Sequence, residues 1–112
     1  AHHKLNNLIA IVDRNTLQSI HSTEDTLALE PFSDKWKAFG WEVKEVNGHN
    51  HEEIYNACSN TNTPKNKPLC LIANTIKGKG VSFMENNVLW HYRSPQGDEY
   101  KAAMIELEKN DA

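Results

Sequence analysis

The sequence predicts an α/β protein of at most one domain, a parallel sheet with helices on both faces, in a chain of 112 residues. Three observations predict it. The segments Leu8-Ile9-Ala10-Ile11-Val12 and Leu69 to Ile76 are short apolar runs with β-branched members, the pattern of strands covered on both faces. Helical patterns lie between the strands, and a β-α-β-α-β order needs crossovers, hence parallel pairing. Both apolar runs end in turn sequences, Asp13-Arg14-Asn15-Thr16-Leu17 and Lys77-Gly78-Lys79-Gly80. In open α/β sheets, ligands bind beyond the carboxyl ends of the strands.

Each element has its own signal. The chain opens Ala1-His2-His3-Lys4-Leu5-Asn6-Asn7 with no initiator Met and no signal-peptide pattern, and it reaches the first strand within eight residues, so it reads as truncated. Pro31 or Ser33 opens a helix through Phe39, with Phe32, Trp36 and Phe39 on one face and Gly40 as its stop. Trp41 to Val46 alternates apolar and charged residues, the mark of a half-buried strand toward one side of the sheet. Asn47-Gly48 supplies a turn, and Asn50 caps a helix from His51 to about Cys58, where Glu52 and Glu53 suit the first-turn dipole. Asn60 to Pro68 reads as a solvated loop. Asp98 to Asn110 closes the chain as an amphipathic helix with Ala102, Ile105 and Leu107 or Met104 inward.

Composition excludes several classes of function. The formal charge of -3 and the scattered lysines provide no basic field for nucleic acid. The longest apolar run is far short of a membrane span. Two cysteines, Cys58 and Cys70, form neither a disulfide framework nor a metal pair, which fits a reducing compartment such as the cytoplasm. There are no internal repeats.

Candidate site residues follow from the turns. The side-chain oxygens of Asp13 and Asn15 suit a hard divalent ion beside phosphate, because Mg²⁺ takes oxygen ligands from few protein groups. An Asn in this place is also an ordinary turn former, bonding its own backbone. The Lys-Gly-Lys-Gly loop matches neither common phosphate-loop pattern. His91 can hydrogen-bond a diphosphate or substrate hydroxyl and exchange a proton near neutral pH, although a lone His in a loop is commonly a surface residue.

Four strings in order resemble one family: Leu8 to Leu17, Phe32 to Val43, Lys77 to Met84, and Trp90-His91. Together they look like the thiamine diphosphate-binding domain of a transketolase, most closely the N-terminal subunit of a split transketolase, over nearly the whole chain. His2 and His3 then read as native sequence. The resemblance implies that 1–112 is the C-terminal part of the diphosphate-binding domain, binding thiamine diphosphate with Mg (or Ca). It implies Asn15 and the Leu17 carbonyl as metal ligands, Ile76 and Lys77 as cofactor wall, and His91 facing cofactor and substrate as the catalytic residue. For Asp13 the structural role of orienting the turn takes precedence. Trp90 reads as an anchor for its loop. Ser19-Ile20-His21 departs from the Ile-Asp-Gly that often follows the metal string.

The activity implied is transfer of a two-carbon ketol unit between sugar phosphates, of the pentose phosphate kind, in a homodimer or heterotetramer with a pyrimidine-binding subunit or domain. That domain would supply the Glu that activates the aminopyrimidine. The family's Gly-Asp-Gly metal motif would precede Ala1, so the chain alone is expected to be inactive, with an exposed edge on Leu8 to Val12 that needs a partner. Alternatives are a deoxyxylulose-phosphate synthase-like enzyme and a non-catalytic assembly fragment. A Rossmann-like nucleotide domain lacks its glycine fingerprint after the first strand.

Overall fold

A computed structural model describes residues 1–59 and 66–110. The elements run β1 (Ile9–Arg14), α1 (Thr23–Leu27), α2 (Phe32–Ala38), β2 (Glu42–Asn47), α3 (His51–Ser59), β3 (Leu69–Asn74), a 3-10 turn (Val88–His91) and α4 (Asp98–Asn110). They form two compact units, one from Ala1–Asn15 with Ala28–Thr75, the other from Thr16–Leu27 with Ile76–Ala112. Most of the loop expected over Asn60 to Pro68 lies outside the described residues.

The first unit holds a three-stranded parallel sheet in the order β1-β3-β2. Ile11 and Lys44 flank Leu71 in register, and Arg14 and Asn47 flank Asn74 at the carboxyl edge. The chain crosses from β1 to β2 through α2 and returns to β3 through α3. Right-handed crossovers in opposite directions put those helices on opposite faces. β3 is therefore enclosed: Leu69, Cys70, Leu71 and Ile72 are all buried and form the core. Its strand ends at Asn74, two residues short of the apolar run.

β1 departs from the expectation of a strand covered on both faces. The departure is on its face, where Ile9 and Ile11 are 41% and 60% exposed; pairing on one side only, among the described residues, is the open edge expected on Leu8 to Val12. An apolar run records a preference for burial, whereas coverage depends on neighbours. β2 is the other edge and half-buried, as its alternation implies.

The local signals account for most helix ends. Asn50 Oδ1 accepts from the Glu52 and Glu53 amides at 3.0 and 3.1 Å, and Glu53 reaches back to the Asn47 amide at 2.8 Å. The first two bonds satisfy donors that the first turn of α3 leaves open, and the third ties that turn to the end of β2. At its other end, Lys44 Nζ donates to the Ala57 carbonyl at 3.1 Å, placing a cation near the negative end of the helix. α2 starts after Pro31 without a side-chain cap. Trp36 packs edge-on against Phe32 and Trp41, with centroids 6.2 and 4.9 Å apart, while Phe39 is left exposed.

In the second unit, α4 corrects the expected inward face. Ala103 is buried, whereas Ile105 is 53% exposed and Ala102 is also exposed. Tyr100, Ala103, Met104 and Leu107 line a groove with Gly78, Val81, Met84 and Pro95. That set follows the i, i+3, i+4, i+7 spacing of one helical stripe, and Ala102 and Ile105 fall to either side of it.

Candidate functional site

The carboxyl edge of the sheet is held by a short hydrogen-bonded network in the first unit. Thr75, just past β3, donates its hydroxyl to Asp13 Oδ1 and its amide to the Arg14 carbonyl at 3.3 Å. From the other side, the Gly48 amide donates to the Asn74 carbonyl at 2.8 Å. Gly48 packs so closely that a Cβ there would collide with Thr75 Cγ2 and lie 3.1 Å from the Asn74 carbonyl oxygen. Asn15 follows directly, half-buried at the mouth of this edge. Asp13 thus ties two strand ends together.

Arg14 is the functional-looking residue that sequence reasoning passed over. It is 7% exposed, and its Nη2 donates to Glu30 Oε1 at 2.9 Å. Glu30 Oε2 accepts from the Phe32 amide at 2.9 Å, and the guanidinium lies 5.9 Å from the Phe32 ring centroid. The Phe32 amide and the Arg14 guanidinium together hold the Glu30 carboxyl below its ordinary range. In the sequence it reads only as one residue of the turn after the first strand, and the partner sixteen positions away follows no local spacing.

The remaining candidates belong to the second unit. Leu17 forms an antiparallel bridge with Ser22. Ser22 caps α1 by accepting from the Asp25 amide at 3.1 Å and donating to its carboxylate at 2.6 Å. That Ser-x-x-Asp box is a helix-start signal, and it marks a helix that the hydrophobic pattern does not announce. Ile76 and Lys77 are half-buried. The Lys77 carbonyl accepts from the Asn86 amide at 3.0 Å, closing the Lys-Gly-Lys-Gly segment into a compact loop.

Inside that loop, Gly78 has φ +75°, and a Cβ on it would come within 2.6 Å of the Met84 carbonyl oxygen. Only glycine meets both demands without strain. Glu85 Oε1 takes the Gly80 amide at 3.2 Å and lies 3.4 Å from Lys79 Nζ. Lys79 is therefore a loop charge. The loop is latched to α4 by Ser82, whose amide and hydroxyl both donate to Glu106. Those two bonds, the amide first, hold the Glu106 carboxyl below its ordinary range.

His91 ends the 3-10 turn, which Asn87 caps by accepting from the Leu89 amide at 3.0 Å. Its imidazole is exposed and packs edge-on against Tyr92, centroids 4.8 Å apart. Trp90 anchors the turn: its indole donates to the Phe83 carbonyl at 3.0 Å and its ring lies 5.2 Å from that of Phe83. Within this unit, Lys77 and His91 stand on separate turns, one closed on Asn86 and the other on Tyr92.

The sheet is parallel, and its carboxyl edge, where open α/β sheets bind ligands, carries amide, hydroxyl and carboxylate oxygens. Comparison with known families makes this specific. Residues 1–110 match "transketolase, thiamine diphosphate binding domain", and the chain belongs to that family.

It is 44% identical to an apulose-4-phosphate transketolase subunit of Phocaeicola vulgatus, over 94% of this chain and 37% of the relative. It is 42% identical to 6-deoxy-6-sulfo-D-fructose transketolase subunit SqwG of a Clostridium species, over 97% and 40%. The crystal structure of transketolase from Campylobacter jejuni superposes with a TM-score of 0.81 at 30% identity, over 96% of this chain and 17% of that one. The chain thus spans about two fifths of the length of these curated relatives.

Proposed function

We propose that this chain is the C-terminal part of the diphosphate-binding domain of a thiamine diphosphate- and Mg-dependent transketolase, which moves a two-carbon ketol unit between sugar phosphates. The observation that carries this reading is the family match over residues 1–110, with Asn15 at the mouth of the sheet's carboxyl edge. The chemistry of the available donors fits the metal. Among the described residues, no three His, Cys, Asp or Glu side chains gather into a metal-binding group. The Asn15 amide oxygen and the Leu17 carbonyl are neutral oxygens, which need no such cluster around them. A hard ion that completes its coordination with diphosphate oxygens and water accepts such ligands.

In this reading, thiamine diphosphate supplies the carbon-carbon bond chemistry when bound. The chain's own residues bind and orient. Asn15 and Leu17 hold the cation, Ile76 and Lys77 form the cofactor wall, and His91 carries a proton to or from a substrate hydroxyl with its exposed imidazole. A pyrimidine-binding subunit or domain completes the site, and the setting is cytoplasmic carbohydrate metabolism. The names of the two relatives point to anionic sugar derivatives, apulose-4-phosphate and 6-deoxy-6-sulfo-D-fructose. We extend that substrate class to this chain.

Calorimetry with thiamine diphosphate and Mg²⁺ tests the proposal. The full assembly, in which this chain is joined to the remainder of its own polypeptide and to its partner, takes up the cofactor in a metal-dependent way, and the 112-residue chain alone does not. An assembly that ignores the cofactor overturns the function. Micromolar binding to the lone chain overturns its expected dependence on further protein.

A further inference from the structure

We propose that Thr75 is a positioning residue for the divalent cation, acting through the three strand ends that it ties together. The proposal rests on the reading that Asn15 ligates the cation. Thr75 meets all three strand ends at the carboxyl edge. Its hydroxyl donates to Asp13 and its amide to the Arg14 carbonyl, both on β1. Its methyl lies against Gly48, just past β2, where even one added carbon would collide with it. The Gly48 amide in turn closes on Asn74 at 2.8 Å.

The arrangement locks position from both sides. Asp13 is two residues from Asn15, and backbone bonds alone leave a strand end free to fray once its ladder stops. β1's ladder stops at Arg14, paired with Asn74. One residue past that pair on β3, the Thr75 amide holds the Arg14 carbonyl while its hydroxyl adds a side-chain restraint on Asp13, which lies opposite Ala73 in the ladder, and the absence of a side chain at Gly48 leaves room for the Thr75 methyl. Asn15 thereby leaves the sheet from a fixed point. Partners that orient metal ligands without touching the metal commonly matter about 10- to 100-fold for metal affinity.

The test uses the assembled enzyme and follows Mg²⁺ titrations of thiamine diphosphate uptake by calorimetry. Cofactor-free thermal melts serve as the measure of plain structural damage. Thr75→Val keeps the methyl and removes the hydroxyl, and it raises the Mg²⁺ concentration for half-maximal uptake by about tenfold. Thr75→Ser keeps the hydroxyl and restores near-normal Mg²⁺ dependence even where its melt is lowered. Asp13→Asn shifts the metal requirement in the same direction as Thr75→Val.

Unchanged Mg²⁺ dependence in Thr75→Val, with only the melt moved, overturns the proposal and leaves the cofactor assignment standing. Equal metal defects in Thr75→Ser and Thr75→Val also overturn it, because the hydroxyl would then be irrelevant. A wild-type assembly that takes up no cofactor defeats the functional reading and this inference with it.

Discussion

Replacing Gly78 by Ala separates two costs that the Lys-Gly-Lys-Gly loop avoids. Alanine at φ +75° costs about 1–2 kcal/mol in backbone strain. The new methyl also meets the Met84 carbonyl oxygen and carbon at 2.6 and 2.7 Å, backbone atoms that cannot rotate aside. Overpacking of that kind costs about 1–3 kcal/mol. Stiffening of the unfolded chain returns about 0.4–1 kcal/mol, so the net loss is roughly 1–5 kcal/mol.

Gly97→Ala is the internal control, since Gly97 has φ +56° but nothing within 4 Å of the added carbon. Its loss stays near about 1 kcal/mol. Urea denaturation followed by tryptophan fluorescence compares the two, and hydrogen exchange at the Asn86 amide reports on the loop directly. Gly78→Ala is the more damaging and speeds exchange at Asn86. Equal losses in the two variants would refute the claim that close approach to Met84, and not φ alone, demands glycine at position 78.

Other expectations follow from the packing and the charges. Leu71→Ala, in the middle of the enclosed strand β3, lowers unfolding free energy by about 2–5 kcal/mol, whereas Ile11→Ala on the exposed edge lowers it far less; similar losses would contradict the sheet order. Glu30 and Glu106 have carboxyls held below the ordinary value of 4.5. The unfolded chain therefore takes up their protons first, so their contribution is complete above pH 4.5 and is lost as pH falls through the lowered values. Acid titration of the denaturation midpoint shows this fall, and Glu106→Gln makes it shallower; an unchanged slope would remove the Ser82 latch as its cause. Cys70 is fully buried, and burial pushes its thiol pKa up. A thiol reagent should modify Cys58 in the native protein and leave Cys70 intact until urea is added, and comparable rates would contradict the enclosure of β3.

Local patterns were readable wherever neighbours in sequence are partners in space. The Asn50 cap, the Asn47-Gly48 turn, the Trp90 anchor and the buried run at Leu69 all depend on residues a few positions apart or on hydrophobicity alone. The same physics explains the misses. Whether Ile9 and Ile11 are covered depends on what lies beside β1, and the sequence of a strand does not contain its neighbours. The pairings Arg14 with Glu30 and Asp13 with Thr75 join residues 16 and 62 positions apart, so no local spacing announces them. On α4 the error was one of phase, because Ala102 and Ile105 also repeat at helical spacing, and only packing against the loop selects the stripe through Ala103.

The account depends most on the amide oxygen of Asn15 holding a divalent cation. Its direct test is a Mg²⁺ titration of thiamine diphosphate binding in the assembled enzyme carrying Asn15→Leu, which keeps the side-chain volume and removes the ligand atom. The account predicts that Mg²⁺ no longer promotes cofactor uptake at concentrations that saturate the wild type, while the cofactor-free fold melts normally. Wild-type metal dependence in that variant would contradict it.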